Sequence, residues 1–202
     1  MVWNREWVFM FKTGQEILMM QSNWKNTNLY GIESERIKFT QMRIEHTNAI
    51  HVMASDPEVS QFIGWPLTKT SEETLDYVKE MLRREEAGTF KYANIVDKQF
   101  GKVIGNVMLF GHDQGARHAE IGYVIDKSLW GKGLGREVIQ LVMDHAFGPM
   151  GLRKLHARVV SENIGSAKIL EKNNFVVEGR QKDYFCINNK LMDCVWYGFI
   201  NE

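Results

Sequence analysis

Net charge is the first thing this chain does without. Its 202 residues carry 25 Lys plus Arg against 25 Asp plus Glu, a formal balance of zero. Nucleic-acid binding needs clustered positive charge to neutralise phosphates, so nucleic acid is not the expected partner. Cysteine is scarce as well, with only Cys186 and Cys194. One pair makes no disulfide framework, and reduced thiols in a cytoplasmic protein are the expectation. No Cys/His cluster has zinc-ligand spacing, so no metal is expected. No apolar run approaches the roughly 18 residues of a membrane-spanning helix. Arg5, Glu6, Lys12 and Glu16 interrupt the apolar start, which therefore lacks the uninterrupted core of a signal peptide. There is no internal repeat and no low-complexity segment.

What is present suits one domain with an appendage. Hydrophobic residues make up 44% of the chain, enough for a sizeable core. Residues 1–31 are unusually aromatic for a tail, with Trp3, Trp7, Phe9, Phe11 and Trp24. They read either as a vector-derived or loosely ordered extension, or as a piece that packs on the domain or on a second subunit. From there the pattern alternates. A strand is expected over Arg36 to Met42 and a short helix near Thr47 to Ala54. Phe62 to Pro66 reads as a loop. Thr70 with Glu73 resembles a capping box, opening a helix with Leu75, Val78, Met81 and Leu82 on one stripe. Strands follow at Phe90 to Val96, Val103 to Phe110 and Ala119 to Ile125. A helix runs to Phe147, a strand covers Lys154 to Val160, and a short helix covers about Ser166 to Asn173. Two closing strands lie near 176–185 and 192–200, with a turn at Asn188-Asn189. The order β-α-α-β-β-β-α-β-α-β-β suits a three-layer α/β domain with a mixed sheet.

Trp130-Gly131-Lys132-Gly133-Leu134-Gly135-Arg136 lies between the third of those strands and the helix that follows it. Alternate glycines at a strand-to-helix turn expose consecutive backbone N–H groups at the positive end of a helix, which suits a pyrophosphate. A tight turn with no ligand is the plainer alternative. Two phosphate-loop patterns can be set aside. A P-loop needs Gly, four residues, then Gly-Lys-Ser/Thr, and no Ser or Thr follows Lys132. A dinucleotide fold needs Gly-x-Gly-x-x-Gly early in the chain, and here the spacing is Gly-x-Gly-x-Gly and late.

The loop resembles the acyl-CoA-binding segment Gln/Arg-x-x-Gly-x-Gly/Ala of the GNAT N-acetyltransferases. Trp130 stands at the first place, Gly133 and Gly135 at the glycines. The aromatic at the first place is common in the branch that is similar to the RimJ/RimL enzymes, which acetylate protein N-termini. Ala119-Glu120-Ile121-Gly122-Tyr123 resembles that branch's fourth strand. Asn163-Ile164-Gly165-Ser166 matches its Asn-x-x-Ser. Leu170 to Phe175 resembles its Leu-x-Lys-x-Gly-Phe, with Asn174 in place of the glycine; Asn tolerates the left-handed backbone needed there. The similarity covers roughly residues 32–202.

The resemblance implies a GNAT fold: a mixed, mostly antiparallel sheet whose fourth and fifth strands splay apart, flanked by helices. It implies transfer of acetyl from acetyl-CoA to a primary amine by direct attack in a ternary complex. A protein or peptide N-terminus leads as acceptor; a polyamine or aminoglycoside, or a non-catalytic acyl-CoA-binding module, are the alternatives. A homodimer is compatible. Donor binding falls by implication to Gly131, Lys132, Gly133, Leu134, Gly135 and Arg136 with Trp130, to the main chain of Tyr123, Val124 and Ile125, and to Asn163 and Ser166. Glu120 is the acid inside the strand motif and a candidate base for the amine; the alternative is a strand-edge carboxylate paired with Arg117 or His118. Asn163 also reads as a helix cap. Many GNAT enzymes protonate the leaving thiolate with a tyrosine four residues after the serine, a place taken here by Leu170, which leaves Ser166 as the assistant. Trp65, Tyr184 and Phe185 could line the acceptor pocket or sit in the core.

Overall fold

The computed structural model describes residues 22–62, 67–187 and 189–202. Seven strands form one sheet in the order β1-β2-β3-β4-β5-β7-β6. They are β1 (Ile37–Thr40), β2 (Phe90–Asp97), β3 (Val103–Asp113), β4 (His118–Ile125), β5 (Lys154–Val160), β6 (Val176–Ile187) and β7 (Lys190–Ile200). Among the described residues only β4 and β5 run parallel. The helices are α1 (Thr47–Ala54), α2 (Pro57–Ser60), α3 (Ser71–Glu86), α4 (Leu134–Phe147) and α5 (Ile164–Glu171).

Helices cover both faces, giving three layers. On one face, α4 buries Val138, Ile139, Val142 and Ala146 against Ile95, Val107, Ile121 and Leu155. On the other, α1 and α3 enclose Met42, Ile50, Val78, Met81 and Tyr92. The buried stripe of α3 is Thr74, Val78 and Met81, with Leu75 and Leu82 half-exposed at its margins. Thr70 caps α3 by accepting from the Glu73 amide at 3.2 Å, and Glu73 reaches back to the Lys69 amide at 2.6 Å rather than to that of Thr70.

Two differences from the sequence reading have local causes. The α2 turn was not expected; Asp56 caps it by accepting from the Glu58 and Val59 amides, and Pro57 occupies the first helical position, a start signal that Asp-Pro carries. The α5 helix begins two residues earlier than expected because Asn163 caps it. The strands β3 and β6 run on to Asp113 and Ile187, past the ends expected for them. Asn174 sits at φ 63°, in the left-handed region expected of it. The loop containing Trp65 and the turn residue Asn188 fall outside the described residues.

The segment just before β1 is held down by Trp24. This side chain is buried, donates from Nε1 to the Gly88 carbonyl at 2.9 Å and stacks on His112 with ring centroids 4.6 Å apart. Leu29 belongs to the same core as α4. Residues 22–31 therefore pack against the domain.

The strands β4 and β5 pair at only three positions, His118↔Lys154, Ala119↔Leu155 and Glu120↔His156. Beyond Glu120 both continue without pairing, to Ile125 and Val160. The sheet opens there into a wedge, and β3 holds β4 on the far side through a regular register from Gly105↔Ile125 to Phe110↔Glu120. Gly105 permits that hold: a Cβ on it would lie 2.3 Å from the Val124 carbonyl oxygen.

Candidate active site

Strand alternation fixes which groups face the wedge. The Arg117 carbonyl accepts from Arg153 and Lys154 on the β5 side, and Asp126 donates to Ile104 on the β3 side. Odd-numbered main-chain groups of β4 therefore face the wedge, and even-numbered ones face β3. This puts the Tyr123 main chain toward the wedge. The Ile125 carbonyl faces the same way but is taken by the Trp130 indole N–H at 2.8 Å. Val124 turns its main chain to β3 and contributes a buried side chain.

A cavity of about 740 Å³ fills the wedge on the α4–α5 side. Trp130, Gly131, Gly133, Leu134, Gly135 and Arg136 border it, as do Tyr123, Val124, Ile125, Asn163 and Ser166. Lys168 of α5 and Lys172 at its C-terminal cap add two cations that the sequence reading did not assign. Lys132 lies outside this lining; its carbonyl accepts from Arg36 at 3.1 Å, and Arg36 also pairs with Glu137. Arg36 thus ties the glycine loop to the first turn of α4. Gly131 and Gly133 adopt φ 75° and 79°, a backbone that side chains disfavour. Gly135 is needed for a different reason, since a Cβ would meet the Ile169 Cδ1 at 2.5 Å. Among the described residues no side chain caps α4, so the amides of its first turn remain for an anion.

A second cavity of about 400 Å³ lies on the α1–α3 face. It shares Phe62, Tyr123, Val124, Asn163 and Ser166 with the first, so the two meet at the wedge. Its walls include Tyr77, Phe90, Tyr92, Phe110 and Phe185, with Arg84, Glu120 and Arg158. Glu120 is only 8% exposed. Arg158 Nε donates to both of its carboxylate oxygens, at 2.8 and 2.9 Å. The pairing is with Arg158, not with Arg117 or His118. Burial pushes the Glu120 carboxyl above its ordinary value, against the guanidinium that pulls it down. Beside it, burial first and the charges of its neighbours second drop His156 to about 4, so its ring is neutral at pH 7.

Asn163 accepts from the Ser166 amide at 3.0 Å, so it does cap α5. Ser166 Oγ and the Tyr123 hydroxyl are 3.0 Å apart. Burial raises the Tyr123 phenol to about 12. Tyr184 accepts from Arg158 Nη1 at 2.8 Å and is 38% exposed, so it braces Arg158, while Phe185 reaches the cavity wall. Sequence reasoning missed the Tyr123 phenol, Arg158 and Arg84, because each acts through a contact between distant segments. Among the described residues, no group of three or more His, Cys, Asp or Glu could hold a metal.

The match to known proteins decides the family: residues 36–176 match the acetyltransferase (GNAT) domain. The chain belongs to the GNAT acetyltransferases. It is 29% identical over 172 residues to the uncharacterized N-acetyltransferase p20 of Bacillus licheniformis, covering 84% of this chain and 95% of that one. Among solved structures, a Salmonella typhimurium acetyltransferase that modifies the N-terminal serine of ribosomal protein L7/L12 superimposes with a TM-score of 0.76. The two are 21% identical, over 85% of this GNAT chain and 99% of the other. The spermidine N-acetyltransferase of Vibrio cholerae, in complex with CoA and spermine, gives a TM-score of 0.73 at 21% identity, over 83% and 96%. GNAT enzymes use acetyl-CoA, which is therefore the donor to be fitted to the wedge.

Proposed function

We propose that this GNAT enzyme moves acetyl from acetyl-CoA to a primary amine, and that an α-amine at a peptide or protein N-terminus is its acceptor. The observation that carries the reading is the meeting of two cavities across the wedge, one built for a phosphorylated donor and one bearing a buried carboxylate. The relative that modifies an N-terminal serine supports an α-amine. The spermidine enzyme keeps a small-amine acceptor as the second reading.

The pyrophosphate sits at the uncapped first turn of α4, with Lys168 and Lys172 nearby. An α-amine has a pKa near 8 and arrives largely protonated. Glu120 takes that proton, directly or through a water, while Arg158 orients its carboxylate. The nitrogen lone pair then forms the C–N bond at the thioester carbonyl. The Tyr123 main-chain N–H faces the developing oxyanion. The C–S bond breaks and its electron pair leaves on sulfur. Tyr123 keeps its proton at working pH and donates it toward Ser166 Oγ. The Ser166 hydroxyl hydrogen is thereby left to hydrogen-bond the departing thiolate, which takes up the second proton, shed by the attacking nitrogen as the tetrahedral adduct collapses to the amide.

Calorimetric titration with acetyl-CoA, followed by detection of released thiol with a panel of amines, tests the proposal. Micromolar donor binding with amine-dependent thiol release is the expected result. A folded protein that ignores millimolar acetyl-CoA would end it. Binding without thiol release from any amine would leave a non-catalytic acyl-CoA module.

A further inference from the structure

The acceptor cavity has a charge pattern that narrows the acceptor beyond "an amine". Two guanidiniums, Arg84 and Arg158, and one carboxylate, Glu120, border it. The carboxylate is already held by Arg158. Arg84 is not fully neutralised by its own partner. It donates from Nε to Glu80 at 2.7 Å, but Arg83 takes the same carboxylate through two nitrogens, at 2.7 and 2.8 Å. One carboxylate thus serves two guanidiniums. The next acid along the helix, Glu85, accepts from the Tyr92 amide and interacts with Lys91. Once Glu120 takes the amine's proton, the described residues that line the cavity carry two positive charges and no negative one.

The register gives the scale. Phe90 pairs with Phe110, and Phe110 with Glu120. Phe90 and Phe110 stack with centroids 5.0 Å apart. Two strand spacings separate Phe90 from Glu120, roughly 10 Å. The Arg84 guanidinium lies over the Phe90 ring, 5.3 Å from its centroid. The cavity therefore runs from a proton acceptor at one end, across an aromatic floor, to a cation at the other.

We infer that the acceptor carries an anionic group roughly 10 Å from its amine, held by Arg84, with an apolar stretch lying on Phe90 and Phe110 between them. This rests on the acetyltransferase reading above. An extended peptide advances about 3.4 Å per residue, so the anion corresponds to an acidic third residue of a peptide, or to the carboxylate of a small amino acid conjugate of that length. A polycation such as spermidine meets repulsion where it would need acids.

The test compares two C-amidated peptides that differ only in an acidic or amide side chain at the third residue. An unblocked tripeptide with an apolar third residue, whose anion is its own carboxylate, and spermidine complete the set. Thiol release gives kcat/KM for the wild type, Arg84→Gln and Arg84→Glu, and calorimetry gives peptide binding to the CoA-loaded protein. The acid peptide is expected to exceed its amide twin by roughly tenfold, through KM. Arg84→Gln erases that ratio, and Arg84→Glu inverts it and improves spermidine. Preference for the tripeptide over the acid peptide assigns the anion to a free carboxylate of a small acceptor. Equal use or binding of acid and amide peptides, or spermidine turned over by the wild type as well as the acid peptide, overturns the inference while leaving the transferase intact. Failure of acetyl-CoA to bind the folded wild type removes both.

Discussion

The two cavities that meet at Ser166 are made of different material. The side proposed for the donor is largely backbone: glycines with left-handed angles, an uncapped helix start, and the main chain of one splayed strand. The side proposed for the acceptor is side chains, brought from α3, β2, β3, β4, β5 and β6. A backbone site binds what all relatives of a fold share, and it tolerates side-chain change. A side-chain site is specific and can be rewritten one residue at a time. Damage should therefore be abrupt on the donor side and graded on the acceptor side.

The largest effect is expected from Gly135→Trp. The new side chain must displace Ile169 of α5. Acetyl-CoA affinity should fall roughly 100-fold or more, about 3 kcal/mol, read by calorimetry on protein shown to be folded by circular dichroism. Retained affinity would break the contrast at its firmest point. Next comes Glu120→Gln, an isosteric change on the acceptor side. Thiol release should slow by roughly 100-fold while donor binding persists; equal turnover would return Glu120 to a structural role.

Arg158→Met sharpens the same comparison through pH. The guanidinium pulls the Glu120 carboxyl down and burial pushes it up. With the guanidinium gone, the carboxyl rises further. The acid limb of kcat/KM, where the base becomes protonated as pH falls, should then move to higher pH. An unmoved limb would mean that another group sets it. The smallest effect is expected from Tyr123→Phe, which deletes one hydrogen bond to Ser166. A loss of about 1 kcal/mol, roughly fivefold in kcat, is expected. Ser166→Ala should remove any further effect of the Tyr123 change, because the phenol acts through that hydroxyl.

The same division explains what the sequence made legible. Local patterns decided much of the fold: the β5 span of Lys154–Val160 was read without error, and Thr70 and Asn163 marked helix starts that the structure contains. The glycine loop was legible as a candidate donor site because Trp130 to Arg136 are seven consecutive residues. Asp56-Pro57 was equally local, yet its four-residue helix was overlooked. The pairing of Glu120 with Arg158 could not be read, since it spans 38 residues and depends on β4 and β5 lying side by side. Arg84 was invisible for the same reason: on its helix it looks like one member of an ordinary surface ion pair. Its exposure to the cavity arises only when Phe90 is folded beneath it.

Gly105 acts as a spacer. It borders neither cavity, yet the room behind β4 is narrower than a methyl, because a Cβ there would collide with the Val124 carbonyl. Replacing it with alanine would push the fourth strand forward and narrow the wedge from the rear. The aperture at which the proposed donor and acceptor would meet is thus set by an atom the chain leaves out. An alanine at that position would act as a shim, throttling the reaction from a strand that no substrate touches.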